Sequence, residues 1–397
     1  MKIVYVFERR YCYLYDDKMF YIDQFKEKGY VVERWSLVQW TFKSVRNPLN
    51  MDDGTGTFYI SDMESFQENI KRIRGEKCVF ICYPYHAYTS ISANIRKIIK
   101  KAGYSYFNLC ESPNFSEETS KFSRATISFA LLEEIKFFLY CTFGKKEMCY
   151  LSYREHWYPF VYKSNGNIMC TEANKRWMPN KFEAFSHRNY MVNSDDYTME
   201  LMRGETFLEE EEKNAIIFVD QYLTGHSDFL LNGIELPITN KIEYYDECNH
   251  FFSVLENKYN TKVIIAAHPK AEYEGSEFDG RKIIYGKTSS LIKNAKIVLL
   301  MTSSVYGITC LNRKKFIIIS SKQMINGVQW KTLEDLKNYF KSNICIMSDV
   351  DMINIDEYVN QYGPLYEKYV STYLVSKHGM FNKTIPEVIM ENVEEMK

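Results

Sequence analysis

Residues 262–321 decide the fold. They read KVIIAAHPK at 262–270 and, after a polar interval, GKTSSLIKNAKIVLLMTSSVYGITCLNRKKFIIISS at 286–321. Three short apolar runs, Val263–Ala267, Ile297–Met301 and Phe316–Ser320, alternate with segments that can form helices. Apolar, β-branched runs joined by helical crossovers are typical of a parallel sheet that is buried on both faces. The stretch therefore predicts an α/β domain.

Polar residues follow two of these runs directly. His268 and Pro269 come after the first, and Thr302, Ser303 and Ser304 come after the second. In open α/β sheets, ligands bind beyond the carboxyl ends of the strands. We therefore expect both groups of residues to lie at one edge of the sheet and to form part of a ligand site.

The overall composition limits the classes of protein to consider. A chain of 397 residues suits two domains of about 150–200 residues. The 50 lysines and arginines nearly cancel the 51 acidic residues, so no global charge favours nucleic acid. The ten cysteines show no zinc spacing. The chain has no apolar run of membrane-spanning length and no signal-peptide pattern, which predicts a cytoplasmic protein.

An alternation of strands and helices predicts a doubly wound domain in the N-terminal part. Its predicted strands are Lys2–Phe7, Tyr30–Trp35, Phe58–Ile60, Cys78–Cys82 and Tyr104–Leu109, and its predicted helices are Tyr15–Lys28, a helix from Ser61 to about Arg74, and Ser90–Ala102. We expect domains at 1–205 and 206–350, with 351–397 forming helices that pack back across them. The acidic run Glu209–Glu212 is interpreted as a solvated linker. Two such sheets would face each other across a cleft.

Four local predictions bear on details of the fold. Ser61 with Glu64 is expected to form a capping box, and Thr288 is expected to cap the helix 289–294. Pro159–Tyr162 is predicted as a strand, and Asp356–Ser376 as one helix. Residues 116–143 have a helical, basic and aromatic pattern.

Three groups of residues suit an anionic ligand. The imidazole of His268 can donate to a phosphate, although a turn histidine without function is the plainer alternative. Ser303 and Ser304 offer hydroxyl groups at a strand end, or simply cap a helix. Lys287 and Thr288 likewise lie between a predicted strand and a predicted helix, where they could bind a phosphate. The segment is not a P-loop, because the G-x-x-x-x-G-K-[ST] pattern is absent.

The pairing of His268-Pro269 with Ser303-Ser304 resembles the paired motifs of bacterial GT-B glycosyltransferases that use CMP-sugars. These are the sialyltransferases and the Kdo transferases of capsule and lipopolysaccharide synthesis. The resemblance implies a GT-B fold of two Rossmann-like domains and a histidine and serines that hold the CMP phosphate and ribose. It covers about residues 215–320 and extends more loosely to Lys287 and Thr288.

Several carboxylates are candidates for the catalytic group. Asp220, followed by Gln221, ends the first strand of the second domain, where it could act as a general base or as a nucleophile. The resemblance to Kdo transferases also implies an aspartate near this position, and His226 and Asp228 follow in the next loop. Asp52-Asp53-Gly54 resembles the acidic motif of sialyltransferases but also suits a plain turn. Glu111 is a further acid at a predicted strand end.

These observations predict a metal-independent glycosyltransferase that moves a sialic acid-like sugar or Kdo from a CMP donor to a bacterial surface glycan. No carboxylate cluster suggests a divalent ion, and no cofactor is expected. A UDP-, GDP- or dTDP-sugar donor, or a non-catalytic nucleotide- or glycan-binding protein, remains an alternative. The expected partners are a nucleotide sugar and a glycan or glycolipid acceptor. Basic and aromatic residues in Lys136–Arg154 and Lys175–Arg188 suit contact with the inner face of the cytoplasmic membrane, or simply a solvated surface.

Overall fold

The computed structural model describes most of the chain. The described residues are 1–8, 17, 20–41, 56–83, 90–110, 158–171, 186–202, 206–226, 229, 235–327, 329–376 and 384–394. They divide into two compact units, each built on its own sheet. None of the helices in these residues has the length and apolar character needed to cross a membrane.

The first unit contains a seven-stranded sheet in the order β3-β2-β1-β4-β5-β6-β7, and every adjacent pair is parallel. Its strands are β1 Lys2–Phe7, β2 Val31–Ser36, β3 Thr57–Tyr59, β4 Cys78–Tyr83, β5 Ser105–Leu109, β6 Gly166–Cys170 and β7 Asn189–Val192. Its described helices are Ile22–Glu27, Val38–Thr41, Met63–Arg72, Ser90–Lys101, Tyr158–Val161 and Ile385–Glu394.

The second unit contains strands in the order β10-β9-β8-β11-β12-β13, all parallel, with β14 antiparallel to β12. These are β8 Ile216–Val219, β9 Val263–Ala266, β10 Ile283–Ile284, β11 Ile297–Leu300, β12 Phe316–Ser320, β13 Ile344–Ile346 and β14 Val359–Asn360. Its described helices are Asp195–Met202, Lys241–Tyr259, Thr288–Asn294, Tyr306–Leu311, Trp330–Phe340 and Pro364–Tyr369. Short 3-10 turns lie at Glu210–Glu212, Lys322–Met324, Met347–Met352 and Ile355–Tyr358, and a π-helical turn at Val370–Leu374.

The apolar runs of the sequence form the centres of both sheets. All residues of β4, β8, β9, β11 and β12 are buried. Burial on both faces removes each aliphatic side chain from water, which stabilises the fold by about 1.5–3 kcal/mol per large side chain. The prediction of two doubly wound, Rossmann-like domains is thereby confirmed.

Among the described residues, the first unit contains those up to Asn193 and those from Ser376 onward. The second unit contains Ser194–Val375. The predicted boundary after residue 205 lies beyond this change of unit, because the helix Asp195–Met202 packs on helical segments of the second unit. Residues 351–397 also divide: Pro364–Leu374 belongs to the second unit and Ile385–Glu394 to the first.

Four local predictions are wrong. Asp62, rather than Ser61, caps the helix Met63–Arg72, and its partner in the capping box is Ser65. Thr288 is the first residue of its helix and Lys287 occupies the cap position. Residues 158–161 form a helical turn instead of a strand. Residues 356–376 do not form one helix, because β14 pairs with β12 and a new helix begins at Pro364, whose ring favours the first helical turn.

The acidic run 209–212 is also more than a solvated linker. Residues Glu210–Glu212 form a 3-10 turn, and the Nζ of Lys282 contacts carboxylates of Glu209, Glu211 and Glu212 at 2.5–2.9 Å. These ion pairs attach the run to the loop before β10. The predicted helix at 116–143 lies outside the described residues.

Candidate functional site at the carboxyl edge of the second sheet

A cavity of about 350 Å³ opens beyond the carboxyl ends of β8, β9 and β11. The strand order reverses between β8 and β11, which is the topological switch point where α/β sheets bind ligands. Eight of the predicted site residues line this one cavity: Asp220, Gln221, His226, His268, Pro269, Thr288, Ser303 and Ser304. The volume falls within the range of small-molecule sites.

Asp220 follows β8 and is 3% exposed. Its Oδ2 accepts a hydrogen bond from the hydroxyl of Tyr273 at 2.5 Å. Burial raises the pKa of the Asp220 carboxyl above its ordinary value, and hydrogen bonds from Tyr273 and from the backbone amides of Tyr222 and Gln221 lower it in part. A buried carboxyl group with a raised pKa at a cavity wall has the character of a general base.

His268 follows β9, and its orientation is set by the chain itself. Its Nδ1 accepts a hydrogen bond from the backbone amide of Lys270 at 3.1 Å. An acceptor Nδ1 means that the neutral ring carries its proton on Nε2, the nitrogen that can donate to a ligand. The ring of His226 lies 4.5 Å from that of His268, measured between centroids, so two imidazoles share this wall.

Thr302 lies between two glutamine side chains. Its backbone amide donates to Oε1 of Gln221 at 2.9 Å, and its hydroxyl donates to Oε1 of Gln329 at 2.9 Å. Both glutamines line the cavity. Thr302 itself is bonded to the wall of the cavity without lining it.

The serines are held by the start of the helix behind them. The Oγ of Ser303 accepts a hydrogen bond from the backbone amide of Val305 at 3.3 Å, which leaves its hydroxyl hydrogen to donate. Ser303 and Ser304 precede the helix Tyr306–Leu311, which packs on the core through the buried ring of Tyr306. Both serines therefore stand on a packed segment.

The other predicted residues do not line the cavity. Lys287 donates from Nζ to the backbone oxygen of Phe207 at 3.2 Å and is not part of the cavity wall. Asp52, Asp53, Glu111 and Asp228 lie outside the described residues. Asp220 is therefore the predicted carboxylate that the structure brings together with the histidines and serines.

Tyr273 and Gln329 are site residues that the sequence did not indicate. Tyr273 lies five residues beyond His268, in a loop without a motif, and Gln329 lies before the helix Trp330–Phe340. Most of the other site residues could be predicted because they closely follow predicted strands. Tyr273 and Gln329 do not, because they lie in loops.

The polar groups of the cavity carry no fixed positive charge, and apolar side chains complete its walls. Among the described residues that line it, none is lysine or arginine, and the polar groups are hydroxyls, amides, two imidazoles and Asp220. Within the same described part of the chain, no group of three His, Cys, Asp or Glu residues could hold a metal ion. The site therefore offers neutral or titratable hydrogen-bond donors.

A second cavity of about 530 Å³, lined in part by Tyr273, has the opposite character. Its walls carry one lysine, Lys241, and five acidic residues, which are Asp246, Glu272, Glu274, Glu277 and Asp279. Carboxylates repel a phosphate, so this cavity does not suit an anionic ligand.

Comparisons with known proteins identify the fold. No family model matches the chain, and no curated protein matches it. A variant structure of the wall teichoic acid polymerase TagF aligns with 100% of this chain and 89% of that chain, at 10% identity and TM-score 0.53. TagF soaked with CDPG aligns over the same shares at 12% identity and TM-score 0.51. A UDP-GlcNAc 2-epimerase from Methanocaldococcus jannaschii aligns with 93% of this chain and 98% of that chain, at 14% identity and TM-score 0.43. The two TagF likenesses confirm the predicted GT-B fold of two Rossmann-like domains.

Proposed function

We propose that this protein is a glycosyltransferase that moves a sugar from a CMP-activated donor to a bacterial surface glycan. The favoured sugars are a sialic acid-like nonulosonic acid and Kdo. The observation that carries the proposal is the cavity at the switch point, where His268, Ser303, Ser304 and Asp220 lie together.

The charge of the cavity favours a donor with one phosphate. A nucleoside diphosphate brings two adjacent negative charges, which proteins usually meet with lysine, arginine or a metal ion. Among the described lining residues there is neither lysine nor arginine. A CMP-sugar has a single phosphodiester, whose one charge suits hydroxyl, amide and imidazole donors. This argument supports the CMP donor over UDP-, GDP- and dTDP-sugars.

The residues divide into two roles in the proposed reaction. An acceptor hydroxyl attacks the anomeric carbon, the bond from that carbon to the phosphate oxygen breaks, and CMP leaves with that electron pair. His268 Nε2 and the hydroxyls of Ser303 and Ser304 stabilise the charge that develops on the phosphate. In this inverting reaction Asp220 takes the proton of the acceptor hydroxyl. In a retaining reaction Asp220 would instead displace CMP from the anomeric carbon, and the acceptor hydroxyl, losing its proton to water, would then displace Asp220 as a free carboxylate.

A surface polymer is the proposed acceptor. TagF, whose fold this chain shares, is a wall teichoic acid polymerase. A phosphate-rich or lipid-linked acceptor would also suit peripheral contact with the membrane. Two further roles stay predictions. Lys287 is predicted to contact the donor, and acid–base catalysis is predicted for the carboxylates Asp52, Asp53, Glu111 and Asp228.

Two other functions remain to be tested against this proposal. One keeps the transferase and replaces the donor by a UDP-, GDP- or dTDP-sugar. The other is a non-catalytic protein that binds nucleotides or glycans on the same scaffold. The cavity favours the enzyme, because a buried Asp220 with a raised pKa is costly to maintain in a site that only binds.

Thermal unfolding in the presence of CMP, CDP, UDP, GDP and dTDP tests the donor. We expect CMP to raise the melting temperature most, because a ligand that binds only the folded state stabilises it. A larger increase in melting temperature with UDP, GDP or dTDP would mean that the donor carries that nucleotide instead of CMP. No increase with any of the nucleotides would exclude the proposed function.

Release of CMP from CMP-sialic acid or CMP-Kdo tests catalysis. We expect the wild-type protein to release CMP, Asp220→Asn to bind CMP without releasing it, and EDTA to leave the rate unchanged. A variant Asp246→Asn, in the acidic cavity, is the matched control and should keep full activity. CMP release by Asp220→Asn at the wild-type rate would exclude Asp220 from the chemistry.

A further inference from the structure

We propose that Gln221 and Gln329 bind the phosphate oxygens of the donor through their Nε2 groups, and that Thr302 is the positioning residue that holds both amides, orienting Gln221 through its backbone N–H and contacting Gln329 through its hydroxyl. This inference rests on the proposed function, because it takes a nucleotide phosphate as the ligand of the cavity. It implies that neutral amide donors make the protein bind the nucleotide more tightly than the nucleoside that lacks the phosphate.

The orientation of Gln221 follows from a group that can only donate. The backbone N–H of Thr302 lies 2.9 Å from the side-chain oxygen of Gln221. An N–H cannot accept from an amide NH₂, so the flipped orientation of Gln221 would lose this bond and place two donors against each other. The Nε2 group is therefore directed away from Thr302.

The hydroxyl of Thr302 contacts the side-chain oxygen of Gln329 as well. It lies 2.9 Å from Oε1 of Gln329 and 3.2 Å from Oε1 of Gln221. Its single hydrogen therefore favours the nearer oxygen, that of Gln329. One residue thus occupies the acceptor ends of two cavity-lining amides and leaves their donor ends to a ligand. Within the described part of the chain, no group accepts a hydrogen bond from either Nε2 atom.

The position of this arrangement suits a phosphate. Gln221 follows β8 and Thr302 follows β11, the two strands at which the strand order reverses. Ser303 and Ser304 come directly after Thr302 and line the same cavity. Amide NH₂ groups, serine hydroxyls and the Nε2 of His268 are all donors, and an oxyanion is the ligand group that accepts from several donors at once.

The chemistry predicts how the two glutamines act on binding. Their donors do not titrate, so their contribution to binding does not change between pH 6 and 9. A glutamate at either position keeps an oxygen for Thr302 but replaces the donor by a carboxylate oxygen, which repels the phosphate. A hydrogen bond to a charged group is typically strong enough that its loss weakens binding about tenfold or more.

Calorimetric titration with CMP and with cytidine tests the inference on the full chain. The variants are Gln221→Glu, Gln329→Glu and the uncharged Gln221→Met, with Gln361→Glu as a control that adds the same charge at an exposed position of the second unit. For the wild type we expect the Kd of cytidine to exceed that of CMP at least tenfold. The three cavity variants should raise the Kd of CMP about tenfold or more and leave that of cytidine unchanged, and Gln361→Glu should bind like the wild type.

Thr302 is tested by a conservative pair. Thr302→Val removes the hydroxyl at nearly constant shape, and Thr302→Ser retains it. We expect Thr302→Val to weaken CMP binding severalfold with an unchanged Kd for cytidine, and Thr302→Ser to restore it. A purely structural role would instead lower the melting temperature and weaken both ligands together.

The outcomes separate this inference from the proposed function. If the wild type binds CMP and Gln221→Glu, Gln221→Met and Gln329→Glu bind it equally well, the glutamines are not phosphate ligands. If these variants lose cytidine and CMP to the same extent, the amides bind the nucleoside, and the inference is wrong while the donor site stands. If the wild type binds no nucleotide, the proposed function fails and this inference fails with it.

Discussion

Tyr273 donates its hydroxyl hydrogen to Oδ2 of Asp220 across 2.5 Å, and so joins the loop after β9 to the end of β8. Asp220 is almost fully buried, and burial raises its pKa. The Tyr273 hydroxyl acts in the opposite direction, because a hydrogen bond donated to a carboxylate favours the ionised form. The tyrosine therefore helps to keep a buried base ionised.

Removal of this hydroxyl should shift the pH dependence of the reaction. In Tyr273→Phe the Asp220 carboxylate loses a donor, so its pKa rises further above the ordinary value of an aspartate. Since the base must be ionised, we expect the acidic limb of the kcat/KM profile to move to higher pH, with a smaller change at high pH. A pH profile of CMP release from the CMP-sugar measures this shift.

The histidines require a control for that profile. His226 and His268 line the same cavity, and imidazole is the side chain whose ordinary pKa lies in the physiological range, so an acidic limb by itself does not identify Asp220. Tyr285→Phe removes another tyrosine hydroxyl, one that donates to a backbone oxygen at 3.2 Å and not to Asp220. An identical limb in the wild type, Tyr273→Phe and Tyr285→Phe would show that Tyr273 does not tune the base.

Asp220 should also reduce stability at neutral pH. Its pKa is higher in the folded protein than in the unfolded chain, so between these two values the folded state binds more protons. Ionisation of Asp220 therefore lowers the free energy of unfolding as the pH rises above about 4, the ordinary value for aspartate. Asp220→Asn lacks this ionisation. We expect the free energy of unfolding of Asp220→Asn, relative to the wild type, to increase from pH 4 to pH 8.

Urea unfolding at a series of pH values measures this difference. Asp246→Asn again serves as the control, because it makes the same substitution at an exposed carboxylate of the other cavity. A difference between Asp220→Asn and wild type that stays constant with pH would mean that the carboxyl group of Asp220 is no harder to ionise in the folded protein than in the unfolded chain.

The strand-end rule explains how much of this site could be predicted from the sequence. Asp220 and His268 follow an apolar run directly and Ser303 lies two residues after one, and the strand direction alone brings such residues to one edge. Gln329 reaches the cavity, and Tyr273 reaches Asp220 behind it, through loops whose paths depend on packing with distant parts of the chain. A single sequence contains no periodicity that reports such paths.

The same distinction applies to the fold. The sequence predicts the buried strands to within a residue or two, because short continuous apolar runs in a globular protein are typical of buried strands. The stretch 356–376 was predicted wrongly as one helix, although Gly363 and Pro364 punctuate it. Pairing of Val359 with Ile317 in β12 competes with local helix formation there, and tertiary contacts decide the outcome.

Gly307 supports the segment that holds the serines. A Cβ at this position would lie 2.8 Å from Cδ2 of Leu374, a buried side chain of the turn Val370–Leu374. We expect Gly307→Ala to lower the free energy of unfolding by about 1–3 kcal/mol, as overpacking of a core does. Leu374→Ala removes the opposing atoms, so the double variant should be less destabilised than the sum of the two single variants. Additive effects in urea unfolding would show that the two sites do not interact.

In the first unit, Glu8 and Arg96 form a buried ion pair at the end of β1. Their side chains are 2% and 1% exposed, and Nη2 of Arg96 lies 2.7 Å from Oε1 of Glu8. Ser92 donates to the other carboxylate oxygen, and Arg96 Nε donates to Oδ1 of Asn108. Removal of one partner leaves the other charge buried and unpaired. We therefore expect Arg96→Met to lower the free energy of unfolding by about 3–5 kcal/mol.

The double variant distinguishes a lost charge partner from a lost side chain. In Glu8→Gln with Arg96→Met no charge remains buried, and the glutamine oxygen still accepts from Ser92, so we expect most of the lost stability to return. Lys331→Met, which breaks an exposed pair with Asp335, is the control and should change stability far less. If urea unfolding instead shows the double variant to be as unstable as Arg96→Met, the unpaired carboxylate of Glu8 contributes nothing to the lost stability. Packing of the arginine side chain, rather than its charge, would then stabilise the first unit.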